Sequence, residues 1–119
     1  MLIRLVVYLI LGVWVWLPIL CLAQAQTDNA SKIPPNTIVI KDHQFDPLQL
    51  TVPAGQKIKL TVENHDPTVE EFESFDLNRE KIVSGNKKII VFIGPLKQGA
   101  YKYFGDFHQK TAQGVIVAQ

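Results

Sequence analysis

The sequence predicts an all-β, Greek-key sandwich of about seven or eight short strands with little helix. Three observations predict it. Apolar residues recur at every second position in short runs, as Ile58, Leu60 and Val62 do against Lys57, Lys59 and Thr61, the period of a half-buried strand. Turn-forming clusters such as Asp46-Pro47, Pro53-Ala54-Gly55-Gln56 and Gly94-Pro95 interrupt these runs about every eight to twelve residues. Nowhere does a 3.6-residue apolar period persist long enough for an ordinary helix.

The first 25 residues stand apart from that pattern. Arg4 is followed by an apolar run from Leu5 to Leu22, ending in Ala23-Gln24-Ala25, the small-x-small pattern that signal peptidases cut. Residues 1–25 are therefore expected to be a signal peptide that directs the chain to secretion. An uncleaved membrane anchor is the alternative, since the run is about long enough to span a bilayer. A lipid anchor at Cys21 is disfavoured because Leu20, a large residue, precedes it.

Cleavage would leave about 94 residues without the single cysteine, Cys21, or the single methionine, Met1. That excludes a disulfide framework and thiolate chemistry. Without Arg4, eleven basic residues balance eleven acidic ones, so nucleic acid is a poor partner, because phosphate binding needs a basic surplus.

Residues 26–35, polar and ending in Pro34-Pro35, read as a flexible arm before a domain over 36–119. A strand is expected from Ile38 through His43 to Phe45. Leu48, Leu50 and Val52 form the next, and Ile58 to Val62 the clearest. From Asn64 to Arg79 the pattern turns acidic and irregular, with a single helical turn expected over Asn78 to Lys81. Ser84-Gly85-Asn86 reads as a hairpin, and the run Ile89 to Ile93 as a strand covered on both faces. Ala100 to Phe104 is aromatic and strand-like, Gly105 to Gln113 a loop, and Gly114 to Val117 a closing strand.

The chemistry-bearing residues fall on particular segments. His65 follows a strand end beside Asp66-Pro67 and reads as an exposed turn residue. His43, two positions before Phe45, would share its face and point inward. A buried imidazole needs a hydrogen-bond partner or a metal. His108 lies in a loop at a sandwich end, where binding residues gather. In Glu70-Glu71-Phe72-Glu73, strand alternation puts Glu70 on the face of Phe72, and Glu71 and Glu73 on the other. Imidazole with carboxylate suits Cu(II), Zn(II) or iron, whereas Cu(I) prefers sulfur. A hydrolase is disfavoured: Ser74 lies in no nucleophile turn, and a domain this small has little room for a deep cleft.

The order Phe45-x-Pro47, Val52-Pro53-Ala54-Gly55, Asn64-x-Asp66, then Gly99 to His108 closed by Gly114-Val115-Ile116-Val117, resembles the cupredoxins. That resemblance covers nearly the whole mature chain. It implies that His108 matches the final-loop histidine of copper-carrying members. Gly105 then stands where they carry cysteine, Ala112 about where they carry methionine, and Glu70 at their first histidine. His43 stands where some copper-handling relatives carry methionine. Without the thiolate a blue type 1 centre is excluded.

A narrower set, Asp66-Pro67-Thr68, Glu70 to Ser74, Asn78 to Lys81, Phe92 to Leu96 and Phe104 to His108, looks like the cysteine-free cupredoxins of bacterial ferrous-iron uptake systems. That likeness implies a periplasmic protein working beside a second copper- or iron-binding protein and a membrane iron permease. The metal, copper (Cu2+) first and iron second, would be held by His43, His108 and a carboxylate. Glu70 is preferred, Glu73 comes second, and Asp106 is an outer ligand or supporting group. The alternative is a metal-free module that docks a partner through Tyr101, Tyr103, Phe104 and Phe107.

Overall fold

A computed structural model describes residues 33–119. The expected signal peptide, with Cys21, and most of the expected arm lie outside the described residues. Among these residues nine strands make two mixed sheets. They are β1 (Thr37–Lys41), β2 (Gln44–Asp46), β3 (Gln49–Val52), β4 (Ile58–Asn64), β5 (Glu70–Ser74), β6 (Arg79–Val83), β7 (Lys88–Ile93), β8 (Gly99–Gly105) and β9 (Gln113–Ala118). The single helical element among the described residues is a 3-10 turn, Asp106–His108. Sheet one runs β2-β1-β4-β7 and sheet two β3-β9-β8-β5-β6. The β1–β4 and β3–β9 pairs are parallel and the rest antiparallel.

The all-β sandwich is as expected, with one or two strands more. The additional ones lie where the sequence pattern is weakest. Asp42 and His43 divide the first expected strand into a two-residue hairpin, with Lys41 opposite Gln44. The stretch expected to be irregular contains β5, and Arg79 to Lys81 are extended in β6 rather than helical. Ser84-Gly85-Asn86 is no hairpin, because β6 belongs to sheet two and β7 to sheet one. Nor is β7 covered on both faces: it is an edge strand, with Val91 and Ile93 inward and Phe92 half exposed.

Alternation explains the core. Ile58, Leu60 and Val62 of β4 face Phe72 of β5 and Ile116 of β9 across the sandwich, all buried. At one end three aromatic rings converge, with Tyr103 centred 5.0 Å from Phe45 and 5.3 Å from Phe72. Such pairs add about 0.5–1.5 kcal/mol each beyond their buried area. The Tyr103 hydroxyl donates to the Pro47 carbonyl at 3.3 Å, and burial pushes its phenol well above its ordinary range. These rings sit on β2, β5 and β8, the three strands that carry the candidate site. On the opposite flank, Arg79 Nε donates to Phe92 O (2.8 Å) and Lys81 Nζ to Ile90 O (2.9 Å). Side chains of β6 thereby occupy edge carbonyls of β7 that another strand could otherwise pair with.

Candidate metal centre

His43 sits at the tip of the β1–β2 hairpin. Asp42 and His43 both take positive φ, 52° and 57°, as a two-residue turn with the twist of the flanking strands requires. Neither residue favours that conformation by itself. The Asp66 carboxylate compensates from outside the hairpin, accepting the Asp42 amide on Oδ1 (2.8 Å) and the His43 amide on Oδ2 (2.9 Å). Burial of Asp66 opposes its ionisation. The two amides, with the nearby His43 and Lys41, outweigh that and hold its carboxyl below the usual range. His43 is thus partly exposed on a turn, not inward on a strand as expected.

Glu70 opens β5 with its side chain on the Phe72 face and is 1% exposed. An ionised carboxylate at that depth needs compensation. Glu70 Oε1 accepts the amides of Glu71 (2.9 Å) and Phe107 (3.0 Å), and Oε2 lies 2.5 Å from His108 Nδ1. His108 ends the 3-10 turn after β8, and its carbonyl accepts the Thr111 and Ala112 amides, closing the loop. The His43 and His108 rings stack, centroids 3.6 Å apart and planes 12° apart. One donor atom from each of His43, Glu70 and His108 lies within 4.8 Å of the other two. Two imidazoles and one buried carboxylate, open to solvent on the histidine side, form a nitrogen–oxygen donor set suited to copper(II), zinc or iron.

Of the other expected ligands, Glu73 lies away from this cluster, whereas Asp106 lines the same opening as His43 and His108 without being one of the three clustered donors. Glu73 points to the outer face of sheet two, opposite Glu80 of β6. Asp106 accepts a hydrogen bond from Gln109 Nε2 at 2.7 Å. His65 is exposed and pairs with Glu63 at 3.1 Å. Of the aromatic residues considered for docking, Tyr103 is core and Tyr101 packs against it. Phe104 leans on Phe75, and Phe107 is half exposed beside His108.

Two residues that shape the centre escape a reading of ligand types. Asp66 is visible in sequence as a turn residue before Pro67, with nothing to show that it reaches back to Asp42 and His43. Gly105 is the other. A Cβ there would fall 2.7 Å from Glu70 Cδ and 2.9 Å from Glu70 Oε2, so the carboxylate occupies the space a side chain at 105 would need.

The family model of the cupredoxin-like domain matches residues 8–118, and the chain belongs to that family. An uncharacterized protein of Rickettsia prowazekii is 55% identical over 80 residues, 67% of this chain and 64% of that protein. The chain therefore spans a little under two thirds of that relative's length. Auracyanin A, a "blue" copper protein from Chloroflexus aurantiacus, shares the fold with a TM-score of 0.61 at 18% identity, over 70% of this chain and 96% of that one. A purple cupredoxin from Nitrosopumilus maritimus gives 0.55 at 20%, over 70% and 98%. Amicyanin from Paracoccus versutus gives 0.57 at 14%, over 74% and 86%.

Proposed function

We propose that this chain is a periplasmic cupredoxin that binds a metal ion through His43, Glu70 and His108 and serves ferrous-iron uptake. The convergence of those three donors at one end of the sandwich carries the metal reading. Copper(II) is the first candidate and iron the second, because imidazole and carboxylate favour both and no sulfur donor is available after residue 25. The copper proteins that share the fold support copper, and the motifs Glu70 to Ser74 and Phe104 to His108 support the iron-uptake assignment.

In this reading residues 1–25 are a cleaved signal peptide, 26–35 an arm and 36–119 the working domain. Glu70 supplies the negative charge, held in place by the amides of Glu71 and Phe107. His108 and His43 supply the nitrogens and the solvent-facing rim. Bound copper(II) would supply a one-electron acceptor for ferrous iron. Reoxidation of such a centre would need an onward one-electron acceptor, and the likeness to the iron-uptake cupredoxins makes a second metal-binding periplasmic protein and a membrane iron permease the expected partners.

Titration of the purified protein with Cu(II), followed by electron paramagnetic resonance, tests the site. One equivalent should bind with a nitrogen–oxygen spectrum and no intense blue band. His108→Ala should weaken binding by at least about tenfold, the smallest loss usual even for groups that only support a ligand. Binding no tighter than to a variant lacking all three histidines would end the metal reading.

A further inference from the structure

The His43 turn is held by a residue that no ligand count includes. We propose that Asp66 is the positioning residue of the centre: its carboxylate, gripped by the Asp42 and His43 amides, sets the His43 imidazole against His108 and Glu70. The inference rests on the metal-binding reading above and adds to it the group that builds the third ligand's geometry.

His43 lies at a hairpin tip with its side chain two-fifths exposed. Left to itself such a tip would carry its ring through several rotamers. Two successive amides converging on one carboxylate fix the backbone from which the ring departs. The same carboxylate stands 3.5 Å from His43 Nδ1, at ion-pair range. Asp66 is itself fixed. Its amide donates to Asn64 Oδ1 (3.0 Å), and its carbonyl accepts the Asn86 amide (2.9 Å). Asn64 Nδ2 in turn donates to Thr68 O (2.7 Å) and Val83 O (3.2 Å). Beside it the His65 amide donates to Ile40 O (2.8 Å), ending the β1–β4 pairing. A continuous path of hydrogen bonds thus runs from the end of β4 to the backbone amide of His43, with the ring nitrogen at ion-pair range of the same carboxylate. Outer groups of this kind orient ligand histidines and typically change metal affinity by about 10–100-fold when removed.

The test uses Cu(II) as the probe and the variants Asp66→Ala, Asp66→Asn, His43→Ala and Asp66→Ala with His43→Ala. Asp66→Ala should weaken Cu(II) binding by about 10–100-fold. The number of coordinated imidazoles read by pulsed electron paramagnetic resonance should fall from two to one. In the His43→Ala background the same change should move the dissociation constant by less than about twofold, because its effect runs through His43. Asp66→Asn, which keeps one side-chain oxygen for an amide, should fall between and covers the case in which the alanine variant does not fold.

Nuclear Overhauser contacts between the His43 and His108 rings of the metal-free protein give a readout independent of any ion. They should be present in the wild type and lost in Asp66→Ala while contacts among Phe45, Phe72 and Tyr103 persist. Retained ring contacts, or an equal further loss of affinity in the His43→Ala background, would overturn the proposal. Failure of the wild type to bind Cu(II) would count against the metal reading, and the ring contacts would still decide the role of Asp66.

Discussion

Gly105 has ordinary extended dihedrals, φ −92° and ψ 113°, so its lack of a side chain answers to space and not to backbone geometry. A Cβ would press on Glu70 and also on Ala112 Cβ at 2.7 Å, well inside carbon contact distance. Position 105, which the likeness to copper-carrying cupredoxins equates with cysteine, is thus closed to side chains while Glu70 stands where it does. Gly105→Ala should push the carboxylate away from His108 and from the Phe107 amide. Cu(II) affinity should then drop at least about tenfold, with a loss of about 1–3 kcal/mol of stability from overpacking. Copper titration and urea unfolding of the variant check both effects. Added to Glu70→Ala, it should lower affinity no further. At this scale Glu70 and His108 are legible in the sequence, one from strand alternation beside Phe72 and the other from its place in the last loop. The setting of His43 is not, because the positive φ of its turn depends on Asp66, more than twenty residues away.

On the outer face of sheet two, Glu73 of β5 stands directly opposite Glu80 of β6, an arrangement of like charges that destabilises a strand pair. Its effect reaches two carboxyls. A hydrogen bond to the Glu80 side chain, with partial desolvation and the charges of Glu80, Asp106 and Glu73, pushes the Glu71 carboxyl up to about 7. Partial desolvation, then the charges of Asp106 and Glu80, raise Glu73 as well. An acid whose folded pKa is raised contributes stability below its unfolded value, near 4.5 for glutamate, and loses it as pH climbs through the folded value. Glu80→Gln removes one charge and keeps a donor for Glu71. Its urea midpoint should exceed that of the wild type at about pH 8 and converge on it at about pH 4. A gap that persists in acid would assign the effect to something other than charge. The same pair of strands shows where alternation stops being informative. β4, buried on one face, carries a clean period of two, but Arg79 to Ile82 of β6 are all exposed. Their strand is set by pairing with β5 and by the bonds of Arg79 and Lys81 to β7, none of which leaves a local apolar signature.

Strand order is also the property of the whole molecule that local pattern conveys least. A tight turn reads the same whether it joins partners in one sheet or crosses between sheets, as Ser84-Gly85-Asn86 does. The crossings matter because they bring the donors together. His43 comes from the edge hairpin of sheet one, whereas Glu70 and His108, thirty-eight residues apart, come from sheet two. An ion held by all three would therefore tie the two sheets at their common end. An unfolded chain offers no such arrangement, so binding should add directly to folding stability. With free Cu(II) at about one hundred times its dissociation constant the gain is about 2.7 kcal/mol. For a domain of this size that raises the thermal midpoint by about 10–20 °C. Thermal unfolding with and without Cu(II) measures the shift, and a chelator should reverse it. His108→Ala should abolish it, while His65→Ala, which removes an exposed imidazole paired with Glu63, should leave it intact. An equal rise in His108→Ala would place the ion outside the centre and separate metal binding from the joining of the two sheets.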